Sequence, residues 1–251
     1  MQRYFAQIEY DGTDYFGFQR QIADQPTVQG EIENTLAKIF QRTIQITGAG
    51  RTDRGVHALG QGISFEVDWQ HSDDALQKAI NANLPENIAI LQLKKVASSF
   101  HPRFDAKRRA YKYVIYNAEA RRPIYRHYKW HVRKPLSLER MNKAAALLVG
   151  EHDFSTFGSP PQGDNPVREV FSASWEARDE DIVFFVEANA FLYRMVRSIV
   201  GSLKLVGDAT WKIEEFEAAF YACERQRSGP TAPSNGLYFL SVKYEDFEIA
   251  N

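Results

Sequence analysis

The sequence predicts an α+β fold, and three observations lead there. Short segments in which apolar residues alternate recur along the chain, at 3–10, 63–67, 88–96, 111–115, 182–188 and 237–244. Between them lie segments whose apolar residues fall at helical spacing. The two kinds do not follow the regular βαβα rhythm of a doubly wound parallel sheet, which leaves mixed helices and strands around a sheet.

The elements follow in order. Tyr4, Ala6, Ile8 and Tyr10 share one side of a strand, closed by the turn pair Asp11-Gly12. From Val28, the positions Ile32, Leu36, Ile39 and Phe40 make a helical stripe, with Thr27 as its N-cap. Gln45-Ile46-Thr47 is strand-like, and Ile63, Phe65 and Val67 alternate again. A short helix over 73–82 turns Ala75, Leu76, Ala79 and Ile80 inward before the strand at 88–96. The second half opens alike: Tyr111, Tyr113 and Ile115 alternate, and a helix over 137–149 stops at Gly150. The segments 169–176 and 182–188 form a hairpin across Arg178-Asp179-Glu180-Asp181. A strongly apolar helix is expected over 191–206. Another is marked by Phe216, Ala219, Phe220 and Cys223, and the strand at 237–244 closes the chain. The halves repeat an element order and divide near Phe104 with no Pro/Gly/Ser linker, predicting domains 1–104 and 105–251 that share a sheet or a tight interface.

Bulk properties exclude several classes. With 251 residues, 44% hydrophobic, the chain can bury one large core or two modest ones. The single Cys223 rules out an internal disulfide framework and a thiolate-built zinc site, and fits a reducing compartment. No signal-peptide pattern opens the chain, and no apolar run approaches the ~20 residues of a membrane helix. These predict a soluble cytoplasmic protein away from membranes.

Net charge is −1, yet it is unevenly spread. Residues 103–134 carry eleven Lys or Arg against Asp105 and Glu119, so this stretch is +9 and the remainder −10. Phe104, Tyr111, Tyr113, Tyr116 and Tyr125 sit among those cations. Clustered cations meet phosphates and interleaved rings offer stacking faces, although a solvated basic surface over core tyrosines has the same composition.

Chemistry concentrates between Gly48 and Ala58, which reads Gly-Ala-Gly-Arg-Thr-Asp-Arg-Gly-Val-His-Ala. A dinucleotide fingerprint fails because the third glycine is missing, and a P-loop fails because Val56-His57 replaces Lys-Ser/Thr. What remains is one carboxylate, Asp53, flanked by Arg51 and Arg54; the segment alone is also that of a plain turn aspartate. His127 and His131 are four apart, but no Asp, Glu or Cys completes a metal set, so no metal is assigned. Asp11 and Asp14 read as turn chemistry.

The glycine-framed segment resembles the Gly-Arg-Thr-Asp-x-Gly-Val-His-Ala signature of the TruA family of tRNA pseudouridine synthases. Further matches follow in order: residues 10–19 (Tyr-Asp-Gly-Thr-Asp-Tyr-Phe-Gly-Phe-Gln), Thr27-Val28-Gln29-Gly30-Glu31 and Arg109-Ala110-Tyr111-Lys112-Tyr113. Beyond these lie residues 152–157, Pro166-Val167-Arg168, residues 191–197 (Phe-Leu-Tyr-Arg-Met-Val-Arg), Ala232-Pro233 and Gly236-Leu237. Two places depart from the pattern: Ser234-Asn235, where the family often has a second proline, and Gly158-Ser159-Pro160-Pro161.

The resemblance implies two ferredoxin-like (RRM-like) halves on a largely antiparallel sheet, with the catalytic cleft between them. It implies Asp53 as nucleophile, Tyr111 stacking on the target base, and Arg197 pairing with Asp53. It casts Arg51 as the residue that helps extrude the uridine, and Arg54, His57, Arg108, Arg109 and Arg168 as further substrate contacts. The implied partner is the tRNA anticodon stem-loop, modified at its positions 38, 39 and 40 by a homodimer that uses no cofactor. Two rivals stand beside it. A non-catalytic RNA-binding module would need the basic tract but not Asp53 with Arg197. A carboxylate-based glycoside hydrolase would need a second acid in a defined role.

Overall fold

The computed structural model describes residues 1–21, 25–161 and 163–245. They fall into two units: Met1–Lys107 joined by the chain from Tyr238 onward, and Arg108–Leu237. A single cut after residue 104 would place the closing strand in the second unit. That strand, β10 (Leu237–Tyr244), instead pairs in parallel with β3 (His57–Val67) of the first, Tyr238 opposite His57 and Phe239 opposite Ala58.

The first unit runs β1 (Gln2–Tyr10), α1 (Val28–Phe40), β2 (Thr47–Gly48), β3, α2 (Asp73–Asn81) and β4 (Ile88–Lys95). Its strands lie in the order β4-β1-β3, and β2 adds to β3. That βαββαβ wiring is the ferredoxin-like pattern expected of this half. The β1–β3 register places Tyr4 opposite Phe65 and Ile8 opposite Gln61, then slips before Tyr10, which faces Ala58. Burial covers both faces of β1: Tyr4, Ala6 and Ile8 are buried on one and Phe5 and Gln7 on the other, and Ile63 and Phe65 of β3, Ile32 and Leu36 of α1 and Leu76 and Ile80 of α2 are buried too. Thr27 caps α1 as its position predicts, its hydroxyl accepting from Gly30 N at 3.2 Å.

The second unit runs β5 (Ala106–Asn117), β6 (Trp130–Val132), α3 (Leu138–Ala146), β7 (Gly150–Asp153), β8 (Val167–Arg178), β9 (Asp181–Ala188), α4 (Met195–Gly207) and α5 (Ile213–Tyr221). Its antiparallel order is β5-β9-β8-β7, with β6 parallel to the end of β5. Thus β5-α3-β8-β9-α4 repeats the wiring β1-α1-β2-β3-α2. The apolar helix begins at Met195 rather than at 191. Arg194 takes a left-handed backbone (φ 61°, ψ 8°), so Phe191 to Tyr193 belong to the approach. Gly150, expected only to stop a helix, also opens β7.

Both units cover an unpaired stretch of strand with the same device. Asn81 of α2 exchanges two hydrogen bonds with the Ile90 backbone, each 2.8 Å. Asn142 of α3 does so with Trp175, at 2.9 and 2.7 Å. Each amide occupies backbone groups that would otherwise invite a foreign strand. No described helix is long and apolar enough to cross a membrane.

The basic tract is less naked in space than in sequence. Glu180 pairs with Arg122 and Asp181 with Lys129, both from the acidic turn between β8 and β9. Glu187 meets Arg108, Glu119 meets Arg133, and Asp208 stands 3.9 Å from Lys134.

Candidate active site

Asp53 sits, half-buried, on the loop that joins β2 to β3. That loop is seated on the segment following β1. Phe18 N donates to Thr52 O at 3.1 Å and Gly55 N to Tyr15 O at 3.3 Å. The loop closes on itself through Val56 N to Asp53 O at 3.2 Å. Gly12 lies so close that a Cβ there would stand 2.0 Å from Val56 O, which explains a glycine in the opening Asp-Gly-Thr-Asp turn. In that turn Asp11 Oδ1 accepts from Thr13 N and from its hydroxyl, a structural task as expected.

Buried polar groups beneath the loop hold it from the sheet. Tyr10 (2% exposed) places its hydroxyl 2.8 Å from Thr52 Oγ1. Burial pushes the Tyr10 phenol above its ordinary range, and the side chains of Thr52 and Gln61 oppose the shift. Gln61 (0% exposed) donates to Gly50 O at 2.9 Å. On the approach, the buried Glu33 of α1 accepts from Ile46 N at 3.0 Å and pairs with Arg20. Tyr15, also buried, bonds Asn87 through its hydroxyl at 2.7 Å; burial and then Glu31 push its phenol up to about 12.

Of the residues expected near Asp53, Arg51 and Arg54 are exposed, and the Arg54 guanidinium lies 4.2 Å over the Phe16 ring. His57 is buried: it is 2% exposed, its Nδ1 lies 3.1 Å from both Gly12 N and Asp11 Oδ1, and its ring stacks on Tyr238 at 4.8 Å.

In the second unit Tyr111 lies on β5, 8% exposed, with Phe191 edge-on at 4.8 Å. Arg197 is half-buried in the first turn of α4. Its Nε donates to Ala232 O at 2.8 Å while its own carbonyl accepts from Ala232 N at 3.0 Å. Tyr113, one full pleat along β5, donates to Pro233 O at 2.8 Å. Burial holds the Tyr113 phenol well above its usual range, and the charge of Arg197 opposes that shift. The Ala232-Pro233 segment is therefore gripped by α4 and β5 together. It runs so close to α4 that a Cβ on Gly201 would stand 1.6 Å from Pro230 O.

The remaining arginines divide. Arg108 is exposed, bonds Glu187 at 2.9 Å and lies 4.1 Å over the Phe171 ring. Arg109 is only 8% exposed and donates to Asn189 O at 2.8 Å. Arg168 is half-buried and donates to Asn165 O and Val167 O, and burial lowers its guanidinium pKa. Sequence reasoning did not single out Tyr10, Thr52 or Gln61; the signal was a tyrosine and a glutamine at inward positions of strands otherwise filled with apolar residues.

Among the described residues no three His, Cys, Asp or Glu side chains gather into a metal-holding group. A cavity of about 450 Å³ opens elsewhere in the first unit, lined by Arg3, Arg42, Thr43, Thr47, Glu66 and His101 and by none of the loop from Gly50 to Val56. The loop of the first unit offers one ionisable carboxylate, Asp53. A carboxylate is a group that can attack a carbon centre or take a proton from one.

The family model described as tRNA pseudouridine synthase matches residues 6–105 and 144–245. A protein named tRNA pseudouridine synthase A from Francisella tularensis subsp. novicida is 41% identical over 251 residues, 99% of this chain and 96% of that protein. Proteins of the same name from Thermoanaerobacter sp. and Rhodospirillum rubrum are each 40% identical, over 94% and 97% of this chain and 97% and 88% of theirs. Among solved structures, a Cbf5-Nop10-Gar1 complex matches at 12% identity with a TM-score of 0.35, over 80% of this chain and 54% of that one.

Proposed function

The chain belongs to the tRNA pseudouridine synthase family, and on that premise we propose that it isomerises uridine to pseudouridine in the tRNA anticodon arm, at the three uridines named above, with Asp53 as the reacting carboxylate. The observation that carries this reading is full-length similarity to proteins bearing that name, joined to a loop with a single acid whose Gly50 and Thr52 are bonded to the sheet below.

The reaction balances within one nucleoside. The C1′–N1 bond breaks, the base turns, C1′ bonds to C5, C5 loses a proton and N1 gains one. Nothing is oxidised and no group enters from outside. Asp53 serves either by attacking C1′ or by taking a sugar proton to give a glycal; both need an ionised carboxylate shielded from water. Tyr111 is assigned to stack on the base. Arg197 is assigned the charge that keeps Asp53 anionic; two unit charges ~4 Å apart attract by about 4 kcal/mol at an effective dielectric of 20, before desolvation. Arg51 helps draw the base out of its stack, a step costing a few kcal/mol that phosphate contacts and stacking must offset. Arg54, Arg108 and Arg168 are assigned to those phosphates. Two copies of the chain form the working unit, in the cytoplasm.

The test is tRNA carrying tritium at uridine C5, incubated with purified protein alone. Release of tritium with pseudouridine in the product supports the synthase. Tight binding without release would favour an RNA-binding module, and free base would mean a hydrolase. Sedimentation of protein with one tRNA checks the two-copy assembly, which a one-to-one complex would overturn.

A further inference from the structure

We propose that Tyr10 and Gln61 are positioning residues for Asp53: two buried polar side chains of the sheet that hold the backbone on its N-terminal side. This rests on the reading of Asp53 given above. The loop leaves β2 at Gly48 and reaches Asp53 within five residues. On that short path it is tied to the sheet at two side-chain points. Gln61 on β3 holds Gly50 O at 2.9 Å, and the Tyr10 hydroxyl on β1 meets Thr52 Oγ1 at 2.8 Å. The ties bracket Arg51, which stays exposed, and the second lies one residue before Asp53.

Both anchors are themselves fixed. Tyr10 and Gln61 lie on paired strands, where the register slips between Ile8 and Tyr10. Such an irregularity re-aims a side chain. Here the Tyr10 phenol comes to lie with the Gln61 amide beside it. A phenol and an amide in a core cost desolvation unless they are bonded, and side chains bonded within packed strands hold a loop more tightly than solvent contacts would. An apolar residue would fill either place if filling were the only need.

The experiment compares Tyr10→Phe, Thr52→Val, the double variant and Thr52→Ser, with Asp53→Asn as control. Single-turnover rate, KM for tRNA and melting temperature are read for each. Misplacing a reacting group costs rate rather than affinity, so Tyr10→Phe should lower the single-turnover rate about 10- to 100-fold and leave KM within about twofold. Thr52→Val should match it, the double variant should be no slower than either, and Thr52→Ser should lie nearer the parent than Thr52→Val. Removing both partners leaves no orphaned hydroxyl, so the double variant should regain melting temperature while its rate stays low. A merely structural bond predicts the reverse: rate and melting temperature recover together, which would overturn the proposal. A parental rate in Tyr10→Phe with Asp53→Asn inactive would overturn the positioning role alone. Turnover by Asp53→Asn would overturn the reading of Asp53 and this proposal with it.

Discussion

The two units share a wiring and differ in how they carry the side chains proposed for the reaction. In the first, Asp53 rides on a loop between two strands, and hydrogen bonds from a buried tyrosine and glutamine hold that loop. In the second, Tyr111 is part of a strand and Arg197 part of a helix, placed by regular backbone and by a segment pressed against the helix. The loop frees an acid from the alternation of a sheet and needs polar anchors in return. The helix and strand need close packing instead. The same βαββα frame thus supports two solutions, one made of hydrogen bonds and one of contact distance.

That contrast can be broken most strongly at Gly201. Adding a methyl group there forces Pro230 away from α4, and Gly201→Ala should cost about 3 kcal/mol in a denaturant melt. A loss under a third of that would show that close approach does not place α4. The counterpart in the first unit is Gly12→Ala, whose Cβ meets Val56 O at 2.0 Å. It should cost about 2 kcal/mol and slow turnover, because Val56 N is bonded to Asp53 O. Unchanged turnover would separate the opening turn from the loop it supports.

Smaller effects sharpen the shared frame. Asn81→Ala and Asn142→Ala should each lose about 1–2 kcal/mol, Asn142→Ala the more, since Gln77 Nε2 also donates to Ile90 O at 3.0 Å and Asn81→Ala then frees only the Ile90 N–H. Equal losses in urea unfolding would mean that the Gln77 contact does not stand in for Asn81. Thr27→Ala should lose about 1 kcal/mol through the α1 cap. Least of all, Arg133→Ala should leave the melting temperature unchanged, because its partner Glu119 is equally exposed and water replaces the contact.

Much of the frame was legible because its signals are local. The stripe Val28-Ile32-Leu36, the Thr27 cap and the alternation in β1 depend on neighbours a few residues away. β6 and β7 escaped notice because three or four residues are too few to establish a period. The start of α4 was placed too early because Phe191 and Leu192 extend the apolar pattern, whereas the left-handed turn at Arg194 answers to the fold around it. For the site, the Asp53 loop stood out through its glycines. The inward fates of His57 and Arg109 did not, since their partners Tyr238 and Asn189 lie far along the chain. The charge excess of residues 103–134 is smaller in space than in sequence for the same reason: Glu180, Asp181 and Glu187 return to meet it. The departure at Asn235 reads differently once folded, for its amide donates to Arg126 O and Lys129 O, both at 2.8 Å, and fastens the tract in place.

Replacing one oxygen of residue 53 by nitrogen tests the central claim most directly. Asp53→Asn keeps the shape and one acceptor oxygen while removing the anion, so it should bind tRNA as the parent does and release no tritium from uridine C5. Release at even a tenth of the parent rate by that variant would contradict the account.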